Sequence, residues 1–98
     1  MQNQKNQLQI TEKEVKFIYA DDYEFFQNKI LSNCYCLTCK PKKYNSKIVN
    51  YQIFINHLND VILRGFCSEC GSRLNRYLET GEVVNYVQRI KKVKQKYV

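Results

Sequence analysis

The chain has 98 residues, 44% of them hydrophobic, five cysteines and a formal net charge of +7. This length allows one small domain with a limited core, of the kind that often needs a metal or a disulfide for stability. No apolar run approaches the roughly 18 residues of a membrane-spanning helix, and the polar start MQNQKNQLQ lacks signal-peptide character. We therefore expect a cytoplasmic protein without membrane contact, where cysteines favour metal binding over disulfides.

The positive charge is concentrated in residues 40–98, because residues 1–39 hold slightly more acids than lysines. A basic balance favours acidic partners, nucleic acid above all. It is also typical of a well-solvated surface, so charge alone leaves the partner open.

The N-terminal third predicts a leader followed by a helical segment. Residues 1–10 are rich in Gln and Asn and are expected to be disordered. In the helical segment, residues 11–32, Thr11 and Glu14 have the spacing of a capping box. Apolar residues at helical spacing predict one core-facing stripe: Val15, Ile18, Tyr19, Tyr23, Phe26 and Ile30. Asp21 and Asp22 interrupt it and are suited to capping a second helix, so one helix or two remain open.

Two CxxC pairs dominate residues 33–81. Cys36 and Cys39 form the first pair, Cys67 and Cys70 the second, and Gly71 directly follows the second pair. Two thiolates at this local spacing reach one tetrahedral ion from a tight turn, and zinc accepts four of them. The pattern therefore predicts one structural zinc ion in a closed site. Iron has the same ligands and stays an alternative.

Strands are predicted between and after the two pairs. KIVNYQIFIN alternates, with Val49, Tyr51, Ile53 and Ile55 on one face. HLND is suited to a turn, and VILRGF to a returning strand in which Gly65 allows a bulge or a close backbone approach. RLNRYLE then predicts a third strand. Residues 82–98 predict a helix whose lysines are favoured at its end by the helix dipole.

Residues 36 to about 79 resemble a zinc ribbon, in which two cysteine turns are joined by antiparallel strands. The matching positions are Cys36, Cys39, Cys67, Cys70 and Gly71. The resemblance implies a small α+β zinc-held scaffold with a binding role, since zinc ribbons serve in transcription, translation and nucleic-acid processing or as protein-binding modules. The stretch IVNYQIFINHLNDVILRGFC is also similar to small bacterial proteins, a likeness that implies no function.

The chain departs from that pattern at several points. The first pair lacks a following glycine, and the tip HLND has Asp60 alone where transcript-cleavage ribbons have an Asp-Glu pair. Cys34 is read as a spare or buried thiol, with an alternative-ligand role left open. His57 is a further alternative ligand, although the predicted turn places it away from the cysteine pairs. Redox catalysis by a CxxC pair would need a helix start in a βαβ setting, which neither pair offers.

The sequence thus predicts a non-catalytic nucleic-acid-binding accessory protein, DNA or RNA being open. Phosphate contacts are expected from the Lys and Arg residues that flank the pairs and end the chain: Lys40, Lys42, Lys43, Arg64, Arg73, Arg76, Lys91, Lys92 and Lys94. Tyr44, Tyr51 and Tyr77 are interleaved with them and are suited to stacking on bases, although Tyr51 fits a core position better. The alternative is an adaptor subunit of a larger complex, docked through the apolar stripe of the last helix. No nucleophile–base pair, phosphate-cradling loop or small-molecule site is evident.

Overall fold

The computed structural model describes residues 7–39 and 43–97, with the backbone alone at Lys43 and Tyr44. It confirms the predicted α+β class. The helices and strands in chain order are β1 (Leu8–Ile10), α1 (Glu12–Tyr19), the single-turn α2 (Tyr23–Phe25), β2 (Cys34–Cys36), β3 (Lys43–Ser46), β4 (Ile48–Ile55), β5 (Val61–Cys67), β6 (Arg73–Leu78) and α3 (Val84–Gln95). In this described part of the chain, no helix is both long and apolar enough to cross a membrane.

Two antiparallel sheets organise the strands. The larger has the order β1-β4-β5-β6, and β2 pairs with β3 in the smaller. The expected leader over residues 1–10 is therefore wrong for its last residues, because Leu8–Ile10 pair with Ile53–Ile55. Ile10 is buried in the core, which explains why this short segment is ordered. Residues 1–6 lie outside the described part.

The larger sheet has two different faces. Its inner face is covered by the helices, because the same core contains buried side chains from strands and helices. The strand contributions are Ile10, Ile53, Ile55, Val61, Leu63, Leu74 and Leu78, and the helical ones include Val15, Ile18, Phe26, Ile90 and Val93. Alternate residues of the same strands, among them Gln9, Gln52, Phe54, Arg64, Phe66, Arg73 and Asn75, form what we call the outer face.

The N-terminal helical segment begins as predicted and is then broken. Thr11 and Glu14 form the capping box, each side chain accepting the other's backbone amide. Helix α1 ends where Ala20 takes a φ of 50°, and a 3-10 turn, α2 and a π-helical turn at Phe26–Ile30 follow. Capping of the second helix by Asp22 was wrong: its carboxylate accepts a hydrogen bond from the Tyr86 hydroxyl at 2.7 Å instead.

A bulge in β4 changes the predicted alternation. The register shifts between Val49 and Gln52, and Asn50 has a φ of 51°. Ile48 consequently lies in the core, whereas Val49, predicted to share a face with Ile53, is only half-buried. Gly65 permits this bulge, as expected, because a Cβ there would lie 2.7 Å from the Val49 carbonyl oxygen.

Helix α3 packs against α1. Of its predicted apolar stripe, Ile90 and Val93 are fully buried in the core. Beyond its C-terminal end, Tyr97 donates to the Glu14 carboxylate at 2.8 Å and Lys96 pairs with it at 3.0 Å. Part of the C-terminal charge thus has an intramolecular partner.

Candidate metal centre

The four predicted cysteine ligands come from two turns at one end of the β4–β5 hairpin. Cys36 ends β2 and Cys39 lies in the bend that follows, which together we call the first cysteine turn, residues 36–39. Cys67 ends β5 and Cys70 lies in the turn leading to β6, the second cysteine turn, residues 67–70. The strand β5 and the packing of the small sheet against β6 therefore position the two turns.

The four thiols form a compact cluster. Their sulfur atoms all lie within 4.8 Å of one another. The Cys36–Cys70 and Cys39–Cys67 sulfur distances are both 3.5 Å. Sulfur atoms that bind a zinc ion tetrahedrally at about 2.3 Å lie roughly 3.8 Å apart, so this donor set fits such an ion. All five cysteines are free of disulfides, and the four clustered ones can bind a metal.

The second cysteine turn is built for thiolates. The Gly71 amide donates to the Cys67 carbonyl at 2.9 Å, and Gly71 has a φ of 77° that favours glycine. The Glu69 amide points at the Cys67 sulfur at 3.4 Å. The backbone amide of Cys70, aided by that of Glu69, lowers the pKa of the Cys67 thiol to about 6 against the opposing effect of burial.

The thiols differ in their surroundings. The side chain and backbone of Ser72 lower the pKa of Cys70. Burial, with the hydrogen bond to Cys67, raises the pKa of Cys39 to about 12. Neighbouring thiols cannot all ionise in a small buried space unless a cation is present. Binding of a metal ion would therefore release protons, with the Cys39 thiol, whose pKa is raised, as one source.

The other predicted ligands lie outside the cluster. Cys34 is fully buried, and its thiol approaches the Ile30 carbonyl at 3.6 Å, so it is a buried thiol as expected. Burial raises its pKa. His57 lies exposed in the turn at the far end of β4 and β5, and among the described residues it does not join the thiols.

The predicted nucleic-acid contacts whose side chains the structure describes are divided between different surfaces. Lys40 and Lys42 lie outside the described residues, and the Lys43 side chain is not described. Arg64 and Arg73 share the outer face. Arg76 lies on the opposite side of β6, where its guanidinium donates to the Asn33 carbonyl.

The lysines of α3 differ from one another. Lys91 and Lys92 are exposed. Lys94 is half-buried and donates to the Asn56 carbonyl at 3.0 Å and to the Asn59 side chain at 2.7 Å. It therefore holds the turn at the end of β4, and its expected role as a surface phosphate ligand conflicts with this position.

Of the predicted stacking tyrosines, Tyr51 packs against the core, as the sequence favours. Its hydroxyl donates to Glu12 at 2.7 Å. Tyr77 is exposed, and the Tyr44 side chain is not described. Sequence reasoning missed Phe54 and Phe66, which alternate with buried residues on β4 and β5. That alternation was the available signal.

The chain matches no protein-family model, no curated protein and no solved structure. Its own geometry therefore has to carry any functional conclusion.

Proposed function

We propose that the protein is a structural-zinc module that binds nucleic acid without catalysing a reaction, as an accessory protein in the thiol-reducing cytoplasm. The metal half of this proposal rests on the all-sulfur donor set. Zinc prefers four thiolates in a tetrahedron, and four protein ligands leave no open position for substrate. Iron accepts the same ligands, so the identity of the metal needs a direct measurement.

The test of the metal is elemental analysis of protein purified without added metal. We expect one zinc ion per chain from the native protein and from Cys34→Ser, and none from Cys67→Ser. An iron content of one, with the absorbance of a ferric thiolate site, would contradict zinc. A metal-free Cys34→Ser variant would contradict the ligand set.

The nucleic-acid half rests on exposed cations. Arg73, Lys91 and Lys92 are exposed, and the four strands of the larger sheet contain arginines but no acidic residue. Such residues neutralise phosphates and release counterions, so affinity falls steeply with salt. We expect affinity for labelled oligonucleotides to fall by orders of magnitude between about 50 and 200 mM salt, and Arg73→Glu to weaken binding. An affinity that does not change with salt concentration, or an absence of binding at low salt, would contradict the proposed nucleic-acid binding.

The alternative is an adaptor that docks on a larger protein subunit without touching nucleic acid. Leu37 is 65% exposed and Val84 71% exposed, and exposed apolar side chains are typical of protein-binding surfaces. The apolar stripe of α3, which was expected to dock on a partner, is less accessible to another protein because Ile90 and Val93 are buried in the core. Absence of nucleic-acid binding in the same salt series would favour the adaptor.

A further inference from the structure

The outer face of the larger sheet is an open surface with an unusual composition. A groove of about 540 Å³ lies on it, within the roughly 300–1,000 Å³ of typical ligand sites. Its lining contains two aromatic residues, two arginines and four side-chain amides and no acid: Gln9, Asn50, Gln52, Phe54, Arg64, Gly65, Phe66, Arg73 and Asn75. Any ligand of this groove meets positive charge, rings and amides together.

Strand register places these groups in rows across the sheet. Arg64 lies between Gln52 on β4 and Asn75 on β6, and Phe66 lies opposite Arg73. Directly opposite side chains on a sheet have Cβ atoms about 5 Å apart. The row Gln52–Arg64–Asn75 therefore lies beside the pair Phe66–Arg73, close enough for one ligand to contact both.

Arg64 is held in place but has unused hydrogen-bonding capacity. Its guanidinium carbon lies 5.7 Å from the Phe54 ring centroid, and one terminal nitrogen donates to Gln7 at 3.2 Å. Its Nε is buried and has no hydrogen-bond partner among the described residues. Because this nitrogen is closed to solvent, Arg64 meets a ligand of the groove through its accessible atoms and its positive charge.

The exposed ring is Phe66, which is 39% exposed and offers no polar group of its own. Single-stranded nucleic acids bind sheets by stacking unpaired bases on such rings and on guanidinium planes, with phosphates on Arg and Lys. Asn and Gln side chains add a donor and an acceptor for base edges. A duplex hides its bases, and an acidic peptide would leave the ring and the amides unused.

Resting on the proposed nucleic-acid function, we propose that the outer face is a platform for single-stranded nucleic acid. A base stacks on Phe66, Arg73 contacts an adjoining phosphate, and the positive charge of Arg64 attracts the phosphates of a strand lying in the groove. Gln52 and Asn75 contact base edges beside it. The zinc site holds Cys67, the residue after Phe66, and so fixes one end of the platform.

The test is fluorescence anisotropy with the full-length zinc-loaded protein at low salt. The probes are single-stranded RNA and DNA 12-mers and the matching duplexes. We expect single strands to bind more tightly than duplexes. Phe66→Ala should weaken single-strand binding at least about five-fold, because one stacked base is worth that much or more. Arg73→Gln should reduce the salt slope by about one.

Matched variants separate stacking from damage to the fold. Phe25→Ala removes an exposed ring (56% exposed) from the helical segment, and its affinity should not change. Phe66→Leu keeps apolar volume at that position without a ring, and it should lose as much affinity as Phe66→Ala. Metal content and melting temperature are measured on each variant, since Phe66 adjoins Cys67.

The outcomes distinguish the two proposals. Equal binding of duplex and single strand, weakened by Lys91→Gln but not by Phe66→Leu, would overturn the platform and leave nucleic-acid binding in place. No binding of any probe would overturn both. Full affinity of a folded, zinc-loaded Phe66→Leu would overturn the platform even if single strands were preferred.

Discussion

The two ends of the β4–β5 hairpin are held by different chemistry. At one end, the cysteine turns bring together four thiols that could bind a metal ion. At the other, the turn at Asn56–Asp60 is held by hydrogen bonds alone. The Asn56 side chain accepts the amides of Leu58 and Asp60, both at 2.9 Å.

The hydrogen-bonded end is also tied to the segment before α3. The Thr80 hydroxyl donates to the Asn59 carbonyl at 2.8 Å and accepts the Val61 amide at 3.0 Å. The Gly81 amide donates to the Asp60 carboxylate at 3.0 Å. These contacts use only groups of the chain, whereas the four thiols at the cysteine end could bind an ion from outside it. The Asp60 carboxylate is thereby used in holding this turn.

The largest expected effect comes from removing a ligand at the cysteine end. Metal binding contributes folding free energy of roughly 10–16 kcal/mol in small zinc domains, so Cys36→Ser or Cys67→Ser should abolish cooperative unfolding at ambient temperature. Circular dichroism melts with and without a chelator measure this. Cys34→Ser is the control, since it removes a buried thiol outside the cluster. If a chelator left the melting temperature of the native protein unchanged, the proposed role of a metal ion in stabilising the cysteine end would be contradicted.

Two glycines allow the ends to be compared by the same substitution. A Cβ at Gly81 would lie 2.1 Å from the Leu58 carbonyl oxygen, whereas at Gly71 nothing lies within 4 Å. Gly81→Ala should cost about 1–3 kcal/mol by overpacking, and Gly71→Ala about 1 kcal/mol through its left-handed backbone. Urea denaturation measures both, and zinc content should stay at one. A larger loss for Gly71→Ala would contradict the close contact.

The sequence predicted those features that depend on local pattern. The thiol cluster follows from the CxxC spacing, the capping box from Thr11 and Glu14, and the third strand from the alternation of Leu74 and Leu78. Each of these needs only a few neighbouring residues to agree, which is why a single sequence suffices. Gly65 was read correctly for the same reason.

The features it missed depend on distant partners. Leu8–Ile10 are ordered by pairing with β4. The Gln- and Asn-rich composition of residues 1–10 does not indicate this pairing. The bulge at Asn50 changes which side of β4 Val49 occupies. Arg73 and Arg76 were both predicted as phosphate contacts, but they lie on opposite faces of β6, because three positions along a strand reverse the side. The residues of the outer face come from different strands, so their common surface follows from the strand order and not from any one segment of the sequence.

The smallest expected effect lies away from both ends of the hairpin. It concerns the contact between α1 and the residues that follow α3. Burial opposes ionisation of Glu14, but hydrogen bonds from the Thr11 amide, Lys96 and Tyr97 outweigh it and lower its pKa below the usual 4.5. A lowered carboxyl pKa stabilises the fold above the unfolded-state value, and this contribution is lost as pH falls through the folded-state pKa. Glu14→Gln should therefore cost on the order of 1 kcal/mol at neutral pH and less in acid.

Urea denaturation at pH 7 and near pH 4 measures this difference, with zinc content followed in parallel because protons also compete for thiolates. The exposed Glu24→Gln serves as the control for charge alone. If Glu14→Gln lost as much stability in acid as at neutral pH, the carboxylate would act through packing rather than charge. Loss of zinc before the Glu14 contribution disappears would place the acid limit of the fold at the cysteine end and not at the contact between α1 and the residues after α3.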